Sequence, residues 1–305
     1  SDPMFKSKNS MSRALVRRET TAGYLFLLPS LFFFVTFVLY PMFLCIYTSF
    51  FDSNMGKNAV DVFVGLGNYK ELFQDKLFLG ALKNTVIIVV VAVPTVCAFS
   101  LWVATAIYDM KPALTSAFRC IFYLPVVTGS VAVTVVWKWM YNNRFGVFNY
   151  LFKSLGIIDQ NINWLGDARF ALWCIILILF TTSVGQPIVL YVSALGNVDH
   201  SLVEAAQVDG ANRRQVFWKI KWAQIMPTTL YILIITTINS FQCFALIQLL
   251  TSGGPTHSTD TIMYYIYYTA FKLYRYGYGN AMGVVLMIII AVLSAVQFKL
   301  GQQSD

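Results

Sequence analysis

The sequence predicts an all-α membrane protein with about six transmembrane helices, and three observations support that prediction. Hydrophobic residues make up 57% of the 305 positions, against roughly 45–50% in soluble domains. Charged residues make up only 12%, about half of the usual ~25%. Six apolar stretches are long enough to cross the ~30 Å hydrocarbon core of a bilayer, which takes about 20 helical residues.

The predicted spans follow one another along the chain, and no charged side chain interrupts the middle of any of them. The first span follows a basic stretch that ends at Arg17 and Arg18, so a signal peptide is the alternative interpretation. The span is too long for a signal peptide and no small-residue cleavage site follows it, which favours a retained helix. The six predicted spans cover 23–50, 82–107, 121–141, 170–194, 225–250 and 281–298.

An even number of spans places both ends of the chain on one side of the membrane. That side holds slightly more of the 22 basic residues, which favours cytoplasmic termini. We expect cytoplasmic tails over 1–22 and 301–305, with residues 1–3 resembling an expression scar, and a transmembrane domain over 23–300 whose inner loop covers 195–225. The net charge of +8 fits anionic lipid headgroups and not nucleic acid, because the basic residues are scattered over loops and span ends.

The sequence lacks the residues of most catalytic and energy-converting sites. It contains no G-x-x-x-x-G-K-[ST] loop to hold ATP phosphates and no H-E-x-x-H zinc motif, and its five cysteines have no paired spacing. We therefore predict that the chain is not an enzyme and holds no catalytic residue, metal or cofactor. A secondary, ion-coupled carrier remains the alternative function, although such a carrier typically keeps a carboxylate inside the membrane.

The inner loop is the most polar loop of the chain, and it predicts a short helix, a turn and a second helix. Ser201 and Glu204 have the spacing of a capping box at the start of the first helix. Ala205 and Ala206 leave a flat face, and Gly210 permits a turn that other residues resist. These features leave two interpretations open, which are an amphipathic helix at the lipid headgroups and a helix that docks onto a partner protein.

The residues of this loop resemble the EAA loop of ABC importer permeases. The resemblance rests on Glu204-Ala205-Ala206, Asp209-Gly210-Ala211, Phe217, Ile220 and Pro227. Trp222-Ala223 stands where the family usually has Leu-Pro. Outside the loop, Tyr123-Leu124-Pro125 and Thr251-Ser252-Gly253-Gly254-Pro255 are similar to carbohydrate-uptake permeases, in particular the larger maltose-importer permease and the glycerol-phosphate permease.

The resemblance implies the type I ABC importer permease fold and one half of a heterodimer in a bacterial plasma (inner) membrane. In such importers a second, homologous permease pairs with the chain, and two copies of an ABC ATPase subunit bind ATP and Mg. An extracytoplasmic solute-binding protein delivers the substrate, here a sugar or oligosaccharide. The loop would be the coupling helix that sits in a groove of the ATPase, through Glu204, Ala205, Ala206, Asp209, Gly210 and Ala211.

Two polar clusters inside the predicted spans are candidates for the solute path, because amides beside aromatic rings suit the hydroxyls and apolar faces of a sugar. One surrounds a proline in the fourth span, where an interrupted helix can build a site, and the other lies in the fifth span. Alignment with the maltose permease implies most of the positions, and helix packing is the other explanation for each of them. The candidates are Thr181, Val184, Gly185, Gln186, Ile188, Asn239, Ser240, Phe241, Gln242 and Phe244.

The helical periodicity predicts how these candidates are arranged. Residues four apart share a helical face, so two stripes are expected to face each other across a water-accessible cavity. The stripes are Thr181-Gly185-Ile188 and Ser240-Phe241-Phe244. The aromatic residues of 264–278 could form a sugar platform, but an aromatic belt at the outer headgroups is the favoured explanation.

Overall fold

The computed structural model describes residues 3–53 and 61–302, with side chains from residue 18 to residue 301. Residues 1–2 of the predicted scar and residues 303–305 of the predicted C-terminal tail lie outside the described residues. Within the described ranges, five helical segments are long and apolar enough to cross a membrane, which confirms five of the predicted spans. They are Arg18–Thr48, Lys76–Ile107, Ala171–Gly196, Arg213–Leu250 and Tyr276–Gly301.

The first half of the chain contains seven helices and a two-stranded antiparallel ribbon among its described residues. Helix α1 continues through a π-helical turn, Val35–Leu39, into α2. The elements are α1 (Pro3–Phe34), α2 (Tyr40–Thr48), β1 (Phe51–Asp52), β2 (Val62–Phe63), α3 (Gly67–Leu72), α4 (Lys76–Ile107), α5 (Pro112–Val127), α6 (Ser130–Met140) and α7 (Val147–Ser154). In the ribbon, Phe51 lies opposite Phe63.

The second half is helical throughout its described elements. The helices are α8 (Ala171–Ser183), α9 (Gly185–Gly196), α10 (His200–Val208), α11 (Arg213–Val216), α12 (Trp222–Phe241), α13 (Ala245–Leu250), α14 (Ile262–Tyr267) and α15 (Tyr276–Gln302). Of two further π-helical turns, Phe217–Lys221 joins α11 to α12, and Tyr268–Lys272 extends the end of α14.

The third predicted span, 121–141, is broken and not straight. Helices α5 and α6 meet at an angle of 95°, because Thr128 and Gly129 have the extended ψ angles 124° and 142°. Helix α5 also begins earlier than predicted, at Pro112, since proline is well suited to the first helical turn. The expectation of one continuous third span is therefore corrected to a bent pair of helices.

Helix α4 is the centre of the bundle, where it packs against α9 and α12. Ile188, Tyr191 and Ile225 are fully or almost fully buried in this cluster, together with Val96 and Ala104 of α4. In contrast, the most apolar window of Arg18–Thr48 has none of its residues buried inside the chain. The first span therefore lies beside the bundle. Its C-terminal part, α2, contacts helix α15 of the bundle.

The predicted outer aromatic belt is wrong for three of its tyrosines, which point into the protein. Tyr264, Tyr265 and Tyr278 are all buried. The Tyr264 hydroxyl donates to the carbonyl oxygen of Ser252 over 2.8 Å. The hydroxyls of Tyr265 and Tyr278 each donate to Asp75 Oδ2 over 2.8 Å. The hydroxyls of Tyr265 and Tyr278 therefore join the loop before α4 to α14 and α15.

Candidate functional site

Helix α10 of the inner loop begins two residues earlier than the sequence predicted. Asp199, and not Ser201, is the N-cap, and its carboxylate accepts the Ser201 backbone N–H over 2.9 Å. The Ser201 hydroxyl donates to the same oxygen over 2.7 Å, and Ser201 lies inside the helix, so it does not form the predicted capping box with Glu204. These two hydrogen bonds lower the pKa of the Asp199 carboxyl below its ordinary value.

The turn after α10 is built around a glycine, as the sequence predicted. Gly210 has a φ of +83°, a left-handed conformation that costs other residues roughly 1–2 kcal/mol. The Ala211 N–H then donates to the carbonyl oxygen of Ala206 over 2.9 Å, which closes the end of the helix. A capping box does occur in this loop, but it joins Asn212 and Gln215 at the start of α11.

The second helix of the loop is continuous with the fifth span. Helix α11 passes through the π-helical turn Phe217–Lys221 into α12 without a break, although Trp222-Ala223 replaces the Leu-Pro of the family. Movement of the loop and movement of the fifth span are therefore mechanically linked.

The surface of α10 is available for a partner, since the helix has no buried residue. Val208 is 87% exposed and Leu202 is 50% exposed. Of the predicted contact residues, Glu204, Ala205, Asp209 and Gly210 are exposed, and Ala206 and Ala211 are half-buried. An exposed helix with small and apolar residues on its surface can bind in a groove of another protein.

A polar recess of about 150 Å³ lies between α5, α8, α9 and α12. The predicted candidates Gln186 and Asn239 are exposed on its wall, and Gln186 lies near the middle of the span Ala171–Gly196. Within the part of the chain that the structure describes, neither side-chain amide has a hydrogen-bond partner. The lining residues are Val126, Thr182, Ser183, Gln186, Pro187, Leu190, Ile235, Thr236 and Asn239.

Five candidates lie in the packed core of the chain and not on a cavity wall. They are Val184, Gly185, Ile188, Ser240 and Phe241. A Cβ atom at Gly185 would collide with the carbonyl oxygen of Phe122, so the glycine lets α9 approach α5 closely. These five residues therefore do not line the predicted cavity between the two stripes, because other parts of the chain pack over the faces that carry them.

The remaining candidates are separated from the recess. Thr181 is half-buried beside a groove between α5, α6 and α8, and its hydroxyl donates to the carbonyl oxygen of Ile178 over 2.8 Å. Gln242 is exposed at the end of α12. The ring of Phe244 lies 4.9 Å from that of Tyr267, measured between centroids. The structure thus brings Gln186 and Asn239 together and leaves these three elsewhere.

The candidates for the solute path did not include three polar residues of the recess, although two of them, Thr182 and Ser183, belong to the polar cluster predicted in the fourth span. Thr182 and Ser183 directly follow the candidate Thr181, and Thr236 lies one helical turn before the candidate Asn239. Thr236 could have been predicted from the helical period, because residues three apart lie on the same side of a helix. The wall contains hydroxyls and amides but no charged side chain, so the recess can form hydrogen bonds with a neutral polar solute. Among the described residues, no group of three or more His, Cys, Asp or Glu could hold a metal ion.

Known proteins share both the sequence and the fold of this chain. Residues 64–302 match the family model described as binding-protein-dependent transport system inner membrane component. The chain is 33% identical to the probable ABC transporter permease protein YesP of Bacillus subtilis, over 98% of this chain and 94% of YesP. It is 32% identical to the lactose transport system permease protein LacF of Rhizobium radiobacter, over 93% of this chain and 95% of LacF.

A solved structure has the same architecture. The chain aligns with a TM-score of 0.79 to a chain in the crystal structure of a bacterial alginate ABC transporter in complex with an alginate pentasaccharide-bound periplasmic protein. The two chains are 24% identical, and the alignment covers 92% of this chain and 93% of the other. At this identity, the likeness establishes a common fold.

Proposed function

The chain belongs to the family of binding-protein-dependent transport system inner membrane components, and we propose that it forms half of the translocation path of an ATP-driven sugar importer. It is an ABC transporter permease subunit and not an enzyme. The single observation that carries the proposal is the exposed unit of α10 and the Gly210 turn, which is continuous with the fifth span. This unit lets an ATPase bound to the loop move a transmembrane helix.

The polar recess supports a sugar as the solute. Gln186 and Asn239 present amides that have no partner among the described residues, and Thr182 and Ser183 add hydroxyls beside them. A sugar has many hydroxyl groups and no charge, so an uncharged wall of this kind suits it. The relative LacF is named for lactose transport, which supports a sugar as the substrate class.

The proposed importer contains a second permease, two ATPase subunits and a solute-binding protein in addition to this chain. Helix α5 has no buried residue, so its surface is where a second, homologous permease would pack to complete the path. Two copies of an ABC ATPase supply ATP and Mg, because this sequence has no phosphate-binding loop. A solute-binding protein delivers the sugar from outside a bacterial plasma membrane, and both termini and α10 face the cytoplasm. The tails over 1–22 and 301–305 flank the permease domain in this arrangement.

Uptake by a reconstituted complex tests this proposal. The chain would be assembled in liposomes with the second permease, ATPase and binding protein encoded in its gene cluster, and radiolabelled sugars would be offered. Uptake should require ATP inside the liposomes and the binding protein outside. Uptake that a proton or sodium gradient drives without ATP would support the alternative, a secondary carrier.

A further inference from the structure

One of the four basic residues in the inner loop is oriented differently from the others. Arg213, Arg214 and Lys219 are exposed, as expected for side chains that reach lipid headgroups or a partner. Lys221 is half-buried. Its ammonium group donates a hydrogen bond to the hydroxyl of Tyr108. The nitrogen also lies 4.5 Å from the centroid of the Tyr108 ring.

Tyr108 connects this contact to the central helix of the bundle. It is the C-cap of α4, where its N–H donates to the carbonyl oxygen of Ala104. Burial, with a contribution from Asp109, raises the pKa of the Tyr108 phenol to about 12. The phenol is therefore neutral near pH 7, and its oxygen is the acceptor for the ammonium group.

The position of Lys221 along the loop gives the contact a mechanical role. Lys221 is the last residue of the π-helical turn between α11 and α12, and such turns are frequent at functional sites. Three residues later, Gln224 Oε1 accepts the backbone N–H of Asp199, the N-cap of α10, over 3.0 Å. The coupling helix is thus tied to α12 through Gln224, and α12 is tied to α4 through Lys221.

We propose that the contact between Lys221 and Tyr108 is a positioning joint that carries movement of the coupling loop into the second span, so that the second and fifth spans move together. This inference rests on the proposed function, because the movement comes from the partner ATPase. Without the joint, the ATPase still docks on α10 and hydrolyses ATP. The second span then follows the loop less closely, so less solute moves for each ATP.

Lys221→Met and Tyr108→Leu test the joint in the complete reconstituted complex, with ATP hydrolysis and uptake measured in the same liposomes. We expect the amount of solute imported per ATP to fall about fivefold in either variant, as for the loss of one half-exposed hydrogen bond. The double variant should be no worse than either single one. Tyr108→Phe, which keeps the ring and loses only the hydroxyl, should lower the ratio as far as Tyr108→Leu does.

Lys219→Met is the matched control, because Lys219 lies in the same π-helical turn and is exposed. Its import per ATP and its melting temperature should equal those of the wild type. An unchanged import ratio in Lys221→Met and Tyr108→Leu would overturn the joint. So would a fall of melting temperature, assembly and both activities in parallel, because that result indicates a structural contact only. Absence of ATP-dependent uptake in the wild type would instead overturn the proposed function.

Discussion

Two amide side chains carry the solute-path hypothesis at the scale of single residues. Gln186→Leu and Asn239→Leu remove hydrogen-bonding groups from the wall of the recess and leave the core untouched. The loss should weaken sugar uptake by about 1–2 kcal/mol, a factor of roughly 5–30, with an unchanged melting temperature. Gln248→Leu is the control, since Gln248 is half-buried on α13 outside the recess. If melting temperature falls in step with uptake, the amides serve packing alone.

Gly185 is expected to act through packing and not through solute contact. Gly185→Ala places a methyl group against the Phe122 carbonyl oxygen, and such overpacking costs about 1–3 kcal/mol. The melting temperature of the purified subunit in detergent should fall. Gly196→Ala in the same helix has open space around the new methyl group, so it should leave stability unchanged or raise it. Equal melting temperatures for the two variants would contradict the close contact between α5 and α9.

The coupling helix makes a prediction at the scale of an element. Ala206→Trp adds a bulky side chain to an otherwise exposed helix, so the subunit should still fold and insert while the ATPase no longer co-purifies with it. The measurement is the ratio of ATPase to permease after affinity purification. Ser154→Trp, an exposed position on α7 of the proposed outer side, controls for a general effect of added bulk. Normal co-purification of the ATPase with Ala206→Trp would refute the docking role.

The start of the second span makes another prediction at this scale. Asp75 caps α4 through the Leu77 N–H and accepts the hydroxyls of Tyr265 and Tyr278. Asp75→Ala removes the cap and leaves both hydroxyls without their acceptor, which should cost about 2–4 kcal/mol. A large fall in the melting temperature should follow. Lys70→Ala, at an exposed position of α3, should leave it unchanged, and a similar fall in both variants would contradict this account.

At the scale of the whole molecule, the proposed function makes the chain one half of a translocation path that partner ATPase subunits drive. Large apolar side chains are exposed along the first span, among them Phe26 at 84% and Phe37 at 67%. Helix α5 has no buried residue. In the proposed complex, lipid or the second permease would cover these surfaces, because an apolar surface of this extent is not stable in water.

The isolated subunit should neither bind nor hydrolyse ATP, because its sequence has no phosphate-binding loop. The measurement is phosphate release and nucleotide binding by the purified chain in detergent. A complex with the ATPase, purified in parallel, is the positive control. ATP turnover by the chain alone, after contaminating ATPases are excluded by mass spectrometry, would refute the proposal that a separate subunit hydrolyses ATP.

The sequence by itself determined the class of the protein and most of its elements. Long apolar runs specify membrane helices wherever they occur, because each satisfies its own backbone hydrogen bonds. Gly210 was predictable for a similar reason, since a left-handed turn favours glycine through local sterics alone. The family resemblance of the loop was also readable, because it depends on residues that are close together in the chain.

Only the tertiary structure decided which polar residues face the recess and which lie in the core. Gln186 and Asn239 line it, whereas Gly185 and Ser240, their immediate neighbours, are buried. The tertiary structure also decided the 95° bend between α5 and α6. It likewise decided the contact between Lys221 and Tyr108, which are 113 positions apart. Helical periodicity specifies which residues share a face, but the neighbour that covers the face is a different part of the chain. Its position depends on packing among all the spans at once.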